Sequence, residues 1–460
     1  MKSNSPDREQ KSFLYQGLQE ILNPQDALYQ LSEKMPWEEI EKEFERYYID
    51  FGRPAKPIRL MVSLLILKQM YNLGDETVVE RWVQNPYWQY FSGEKDFQWK
   101  LPVEPSDLVH FRKRIGEEGV RKILEISISL HGKEAMESEV VVDTTVQEKN
   151  ITFPTDVKLH RKIIEQCRKI AKTEEIEQRQ SYKRTVKKLV MAQRFRNHPK
   201  NKKKAYGSAR KMRIIAGRVV RELERELSEE QKQKYEKRLE IFNKILRQKK
   251  NDKEKIYSIH EPKVYCISKG KEHKKYEFGS KASIVITKKS GIFDPFAGIV
   301  GAYSLEKNEY DGHTLPKALE QCEQLRGLRP TVAIADRGYK GSTRIGETEI
   351  HIPKPRMRGK PPKKGTSEYE KKKARARFRR RAAIEPIIGH LKTDNRLSRN
   401  FLKGVTGEAT NVMLAAAAFN FRKWMRKLKN FFGLFYKNLE LHIYRFLESV
   451  LSTPKLKMTF

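Results

Sequence analysis

Cysteine is scarce in this chain: Cys167, Cys266 and Cys322 are the three in 460 residues. Three widely separated thiols leave one unpaired under any bridging scheme and form no metal-ligand cluster. That excludes a disulfide scaffold or a zinc module and fits a reducing, cytosolic setting. Long apolar runs are missing as well. No uninterrupted hydrophobic segment approaches the ~18 residues that a bilayer span needs. The aromatic stretch starting at Phe431 is soon broken by Lys437, Glu440, His442 and Arg445, as in an amphipathic helix. The first ten residues lack the apolar centre of a secretory signal. Acid is in deficit: 59 Asp and Glu stand against 95 Lys and Arg, a net charge of +36 and a pI near 9.9. The excess is spread over the whole length, so nucleic acid is the first partner to expect and an anionic membrane surface the second. With 38% hydrophobic residues, the chain can bury the cores of two or three domains.

Against that basic background a few carboxylates stand out by position. Glu139-Val-Val-Val-Asp143 is a short β-branched run with an acid at its exit, and Pro330-Thr-Val-Ala-Ile-Ala-Asp336 repeats the arrangement, with Gly338 and Gly341 marking the turn that follows. Such runs read as buried strands of an α/β sheet, whose sites lie at the carboxyl ends of the strands. A third acid, Glu385, falls in the spacing Phe378-x2-Arg381-x3-Glu385-x6-Lys392. On one continuous helix these four would share a stripe, with one carboxylate between cations. A solvated helix face explains any such stripe, and turn formation explains any one strand-end Asp. The three acids together are a rarer set. Three carboxylates without a Cys or His cluster suit hard cations, Mg²⁺ or Mn²⁺, rather than zinc. His313, in Asp311-Gly-His-Thr, and Asp294 are left outside the set, since a His and an Asp before a helix more often cap it.

Asp143, Asp336, Glu385 and the Phe378–Lys392 spacing resemble the DDE-type transposases of bacterial insertion sequences, and most nearly the group named after insertion sequence five. The block from Phe51-Gly-Arg-Pro to Asn85-Pro-Tyr-Trp-Gln-Tyr-Phe resembles that group's amino-terminal domain, and Leu414-Ala-Ala-Ala-Ala-Phe-Asn-Phe-Arg422 its closing helix. The chain departs in one place: Phe378 stands where the group usually has Tyr. The resemblance implies an α/β RNase H-like catalytic domain, a mixed sheet flanked by helices, with an all-α N-terminal domain and here a basic helical insertion. It implies two Mg²⁺ or Mn²⁺ ions held by Asp143, Asp336 and Glu385. It also implies double-stranded DNA partners (terminal inverted repeats and target), a homodimer or higher oligomer on that DNA, and a cytoplasmic, nucleoid-associated enzyme with no membrane attachment.

Along the chain, residues 1–137 read as a helical DNA-binding or dimerisation domain with a helix-turn-helix outline. In it Pro57 opens one helix, Leu73-Gly74 turns, and Asp75 caps a second. Ser106-Asp107 caps a further helix bearing Arg112, Lys113 and Arg114, a candidate phosphate-contacting surface. Residues 138–428 read as the catalytic domain, interrupted at 158–253 by basic helical arms that Asn197-His-Pro-Lys breaks in two. Lys202, Lys203 and Lys204 there are candidates for DNA backbone contact. Strands resume at Lys275, turn at Lys288–Gly291 and return from Ile292; a helix over 314–325 leads to the Asp336 strand. Residues 429–460 read as a helical tail. Arg381, Lys392, Arg399 and Lys403 are candidate DNA ligands near the acids. A nuclease of the same fold, a non-catalytic DNA-binding derivative and a ribosomal-style basic protein are the competing readings.

Overall fold

The computed structural model describes residues 17–49, 54–249, 251–268, 274–289, 297–341, 343–353 and 367–451. Helices come first: α1 (Leu18–Ile21), α2 (Ala27–Lys34), α3 (Trp37–Glu45), α4 (Ile58–Met70), α5 (Asp75–Val83), α6 (Pro86–Phe91) and α7 (Pro105–Ser129). α4 is buried on every side: all residues from Leu60 to Met70, Lys68 and Gln69 included, are buried. A helix of that composition belongs inside a core. Pro57 is its cap rather than its first residue. α5 turns Glu76, Glu80 and Arg81 to solvent. Asp75 does not cap α5, whose cap position is Gly74. At α7 the cap is Glu104, whose backbone N–H donates to Asp107 at 3.0 Å. Of the tryptophans in this region, Trp37, Trp82 and Trp88 are buried, and Trp99 is 71% exposed.

β1 (Glu139–Lys149) enters the sheet, and the insertion follows as α8 (Asp156–Thr173), α9 (Lys183–Met191), α10 (Pro199–Glu226) and α11 (Glu229–Arg247). The expected two arms are thus four helices; the expected break falls between α9 and α10, where Asn197 and His198 are non-helical and Pro199 opens α10. These helices close around their own apolar cluster, with Ile163 and Ile164 of α8, Met212 and Val219 of α10, and Phe242 of α11 at its centre.

After the insertion come β2 (Tyr265–Ser268), β3 (Tyr276–Thr287), β4 (Ile299–Ser304), α12 (Asp311–Arg326), β5 (Val332–Ile334), β6 (Arg344–Ile345), β7 (Thr348–His351), α13 (Glu368–Arg381), α14 (Ile384–Thr393), β8 (Arg399–Asn400) and α15 (Gly404–Leu451). The strands form one mixed sheet in the order β2-β3-β1-β5-β7-β6, with β4 also on β3 and β8 also on β1. β1 runs antiparallel to β3 and parallel to β5 and β8. Gly291 and Asp294 lie outside the described residues, as do Phe51, Gly52 and Arg53.

A single apolar core unites the N-terminal helices, the sheet and α15. Met413 through Phe421 of α15 are buried without interruption, against α7, α4 and β4. Asn420 satisfies itself there: its amide donates to Ser127 Oγ at 3.1 Å and Ile299 O at 2.8 Å, and its oxygen accepts from Ile299 N at 3.0 Å. α15 passes residue 428 without a break, so the tail continues the closing helix as far as Leu451.

Candidate active site

The two aspartates meet through register. Val141 of β1 pairs with Ile334 of parallel β5, which sets Asp143 and Asp336, each two residues further on, level with each other and on the same face. Asp143 is not at a strand end as expected, because β1 continues to Lys149. It is β5 that stops, at Ile334, so Asp336 lies just past the strand end, capping the turn at Arg337–Tyr339, and only Asp143 is on a strand. Past Val141 the β5 side of β1 is open until β8 pairs at Glu148, and Asp143 sits in that gap. Each carboxylate is oriented by a nearby backbone N–H: Thr144 N donates to Asp143 Oδ1 at 2.8 Å, and Gly338 N to Asp336 Oδ1 at 2.7 Å. A Cβ on Gly338 would lie 2.9 Å from Asp336 Oδ1 and 3.4 Å from Asp311 Oδ2, so only glycine lets the turn fold this closely on both acids.

Asp311 is the residue that the sequence reading passed over. It opens α12, and its Oδ1 accepts from Thr144 Oγ1 at 3.2 Å and from Lys281 Nζ at 3.1 Å. The available signal was Asp311-Gly-His-Thr at a helix start, where attention went to His313; that ring packs edge-on against Tyr310. Tyr339 lies beneath the acids, 1% exposed. Its hydroxyl is buried beside the Thr144 side chain. Burial first, and then the negative charges of Asp143, Asp311 and Asp336, push its ionisation well above the ordinary tyrosine range.

Glu385 stands apart. The expected single stripe is divided between two helices: α13 ends at Arg381, and the chain tightens through Ala382 and Ala383 before α14 begins. α14 buries Ile384, Ile387 and Leu391 and contacts β1, which leaves the Glu385 side chain 66% exposed, 3.8 Å from the Arg381 guanidinium. Among the described residues no three Asp, Glu, His or Cys side chains converge as a metal-holding group. The donor chemistry of the aspartates, hard oxygens without sulfur or imidazole, fits Mg²⁺ or Mn²⁺. Phe378 packs its half-buried ring on the main core. Lys392 is half-buried, and Arg399 and Lys403 are exposed.

The N-terminal helices brace this region. Gln69 Nε2 donates to Asn395 O at 2.8 Å, Asn395 Nδ2 to Gln69 O at 3.3 Å, and Asn72 Nδ2 to Thr393 O at 2.9 Å, so the end of α4 holds the turn that leaves α14. Arg112 belongs to the same brace and is not a phosphate contact. It is 7% exposed, and its two terminal nitrogens donate to Asp75 at 2.8 and 2.7 Å. Lys68 Nζ pairs with the same carboxylate at 2.7 Å. Burial opposes ionisation of Asp75, but the two cations win and hold it at about 2. Burial brings Lys68 down to about 8. Lys113 and Arg114 are exposed, with Arg114 over the Tyr48 ring.

Residues 16–114 match the family described as "Transposase domain (DUF772)", and residues 247–421 match the family described as "Transposase DDE domain". The second match contains Asp336, Glu385 and all the strands after the insertion. It brings with it the RNase H-like fold, to which the mixed sheet and its flanking helices conform, and the class of metal-dependent DNA-processing enzymes. The chain belongs to the DDE-type insertion-sequence transposases. A Rhizobium meliloti protein, "Uncharacterized protein ORF8 in nfe locus", is 41% identical over 201 residues, 42% of this chain and 97% of that protein. No solved structure matches. The family normally uses divalent metal ions and acts on DNA. No helix among the described residues is long and apolar enough to cross a membrane.

Proposed function

We propose that the protein cuts DNA at the ends of a bacterial insertion sequence of the insertion sequence five group and joins those ends to target DNA. In this reading Asp143, Asp336 and Glu385 are the catalytic carboxylates. The level register of Asp143 and Asp336 beside the end of β5 carries the proposal. Mg²⁺ or Mn²⁺ held there would stabilise charge on the attacking and leaving oxygens of an in-line displacement. The aspartates are oriented by backbone N–H groups before any ligand arrives, which suits preorganised catalysis.

Glu385 joins them when DNA is present. Its partner Arg381 is a partly exposed i,i+4 pair, a class that contributes only about 0.3–0.5 kcal/mol. A phosphate offers that guanidinium a stronger, bidentate contact, which releases Glu385 to turn toward the strands. Arg381, Lys392, Arg399 and Lys403 then hold DNA beside the cut, and Lys113 and Arg114 hold it further out. In the first step water bonds to phosphorus and the 3′ oxygen leaves with a proton as a hydroxyl. In the second, that hydroxyl displaces the 3′ oxygen of a target phosphodiester, so no covalent protein–DNA species forms. Two copies, one on each element end, give the symmetric assembly.

The test is single-turnover nicking of a duplex carrying the terminal inverted repeat. Cleavage that needs Mg²⁺ or Mn²⁺, stops in chelator and occurs only at the repeat supports the proposal. Equal cutting of branched DNA without the repeat would favour a structure-selective nuclease instead.

A further inference from the structure

Residues 115–246 fall between the two family matches, and they hold the longest acid-free run in the sequence. From Gln178 through Arg221 the chain has sixteen Lys and Arg and no Asp or Glu. α10 turns Met212, Ile215, Val219 and Leu223 into the core of the insertion. On its open side Lys200, Lys204, Lys211, Arg218, Arg221 and Arg225 are exposed, and Gly207 and Ile214 occupy the two remaining places in the row. These positions step by four and three residues in alternation, close to the 3.6-residue turn, so they run in one line ~37 Å long. Among the described residues none of the six cations has an ion-pair partner.

α10 is built against its own stability. Its first turn carries no acid, its cap residue His198 makes no side-chain bond, and Lys200, Lys202, Lys203 and Lys204 crowd the positive end of the helix dipole, where each cation costs about 0.3–1 kcal/mol. Gly207 costs about 1 kcal/mol against alanine in mid-helix, although a Cβ there would meet nothing within 4 Å. Nothing inside the molecule requires that glycine. The next helix does the opposite: α11 has a Ser228–Gln231 capping box, Glu229 and Glu230 in its first turn, and Lys244 and Arg247 in its last. The acids of the region gather beside α11, where Glu224, Glu236, Glu240, Asp252 and Glu254 line a groove of about 690 Å³.

We infer that the exposed line of α10 is a docking surface for the phosphate backbone of duplex DNA, with Gly207 as the point of closest approach. The charge selects a polyanion. A rod ~37 Å long reaches from one backbone across a groove about 12 Å wide to the other. Phe195 and Tyr206, 81% and 77% exposed, flank the same end, and Lys203 and Arg210 lie one turn to either side of Tyr206. The surface makes no use of base identity, so it holds a duplex of any sequence. This inference rests on the reading of the protein as a DNA-cutting enzyme.

The experiment measures the affinity of the full-length protein for duplex DNA lacking element ends, as a function of salt. Replacing Lys204, Lys211, Arg218 and Arg221 together by Gln lowers the log–log slope by about 0.9 per contact, ~3.6 in all. Removing four exposed α11 cations (Lys237, Arg238, Lys244 and Arg247) in the same way leaves it unchanged. Gly207→Leu weakens binding about tenfold while the melting temperature does not fall, which keeps the test valid even if the quadruple variant folds poorly. An unchanged slope in the α10 variant, or equal changes in both quadruple variants, overturns the inference. So does retention of α10-dependent binding only on phosphatidylserine vesicles, which would make the line a membrane surface. Asp143→Asn in the same assays separates the two readings. Lost cleavage with an unchanged α10 slope removes this surface alone, and retained cleavage with a reduced slope removes the catalytic assignment alone.

Discussion

The aspartates at the open edge of β1 and the cations along α10 are both concentrations of one charge, held in opposite ways. Asp143 and Asp336 each accept a backbone N–H, and Asp311 is fixed by Lys281 and Thr144. The α10 cations ride on long exposed side chains without ion-pair partners among the described residues. The first arrangement fixes atoms to within a bond length, as chemistry on a phosphorus atom requires. The second fixes only a line, as is enough for a uniform polyanion. On the proposed function, geometry is built where bonds change, and charge alone where the partner need only be kept.

That contrast is broken most directly at the acids. Asp143→Asn, Asp336→Asn or Glu385→Gln should each slow strand cleavage a thousandfold or more, about 4 kcal/mol in the barrier, with DNA affinity within about twofold of the parent. Single-turnover cleavage and filter binding read both quantities. A variant that cuts at the parent rate removes its residue from the set.

Arg112 sharpens the contrast from the other side, as a cation used for structure. Arg112→Met should cost about 3 kcal/mol in urea unfolding, because it strands a largely buried Asp75 beside Lys68 alone, and should leave the salt slope on DNA unchanged. A reduced slope with intact stability would return Arg112 to the DNA surface.

Each core also contains a histidine that resists protonation. Burial holds His131 in the main core and His160 in the insertion at about 4, below an ordinary value of 6.5. The unfolded chain takes up these protons first, so stability is complete above about pH 6.5 and is lost as pH falls toward about 4. Each site contributes about 3 kcal/mol over that window. Hydrogen exchange in the two cores between those pH values should show both weakening, and His160→Leu should flatten the dependence in the insertion alone. A dependence unaffected by that substitution would exclude His160 as its source.

Smaller effects belong to the divided stripe. Arg381→Ala should slow cleavage by about 1.5–3 kcal/mol, the worth of a charge-assisted contact, and Lys at that position should recover only part of it. Phe378→Tyr should change cleavage by less than about 0.5 kcal/mol, because the ring packs on the core whichever residue supplies it. A larger gain in rate would mean that the hydroxyl reaches the site.

The alternation of helical and strand-like segments, the acid at the end of β5 and the helical insertion were all legible in the residues. Asp143 was misplaced because Thr144 to Lys149, Val146 apart, are polar, like a turn. They remain in a strand because partners from elsewhere satisfy them, as when Gln147 donates to Ser280, Ser304 and the Glu408 carbonyl. No local pattern reports such partners. Arg112 was readable and was misread: Leu108, Phe111, Arg112 and Ile115 follow the spacing of a buried face, which placed that cation inside and its neighbours Lys113 and Arg114 outside. The break at Ala382–Ala383 left no mark, since alanine favours helix and a tightened turn comes from packing on both sides.

α15 is made more than three hundred residues after α4, yet it covers α2, α4 and α7 near the beginning. At about 5–20 residues per second, α4 waits tens of seconds for that cover. Through this interval its apolar surface is a substrate for chaperones and proteases. A chain ending before residue 404 should therefore leave the α4 face uncovered, and hydrogen exchange in Leu60–Met70 should be fast in it and slow in the full chain.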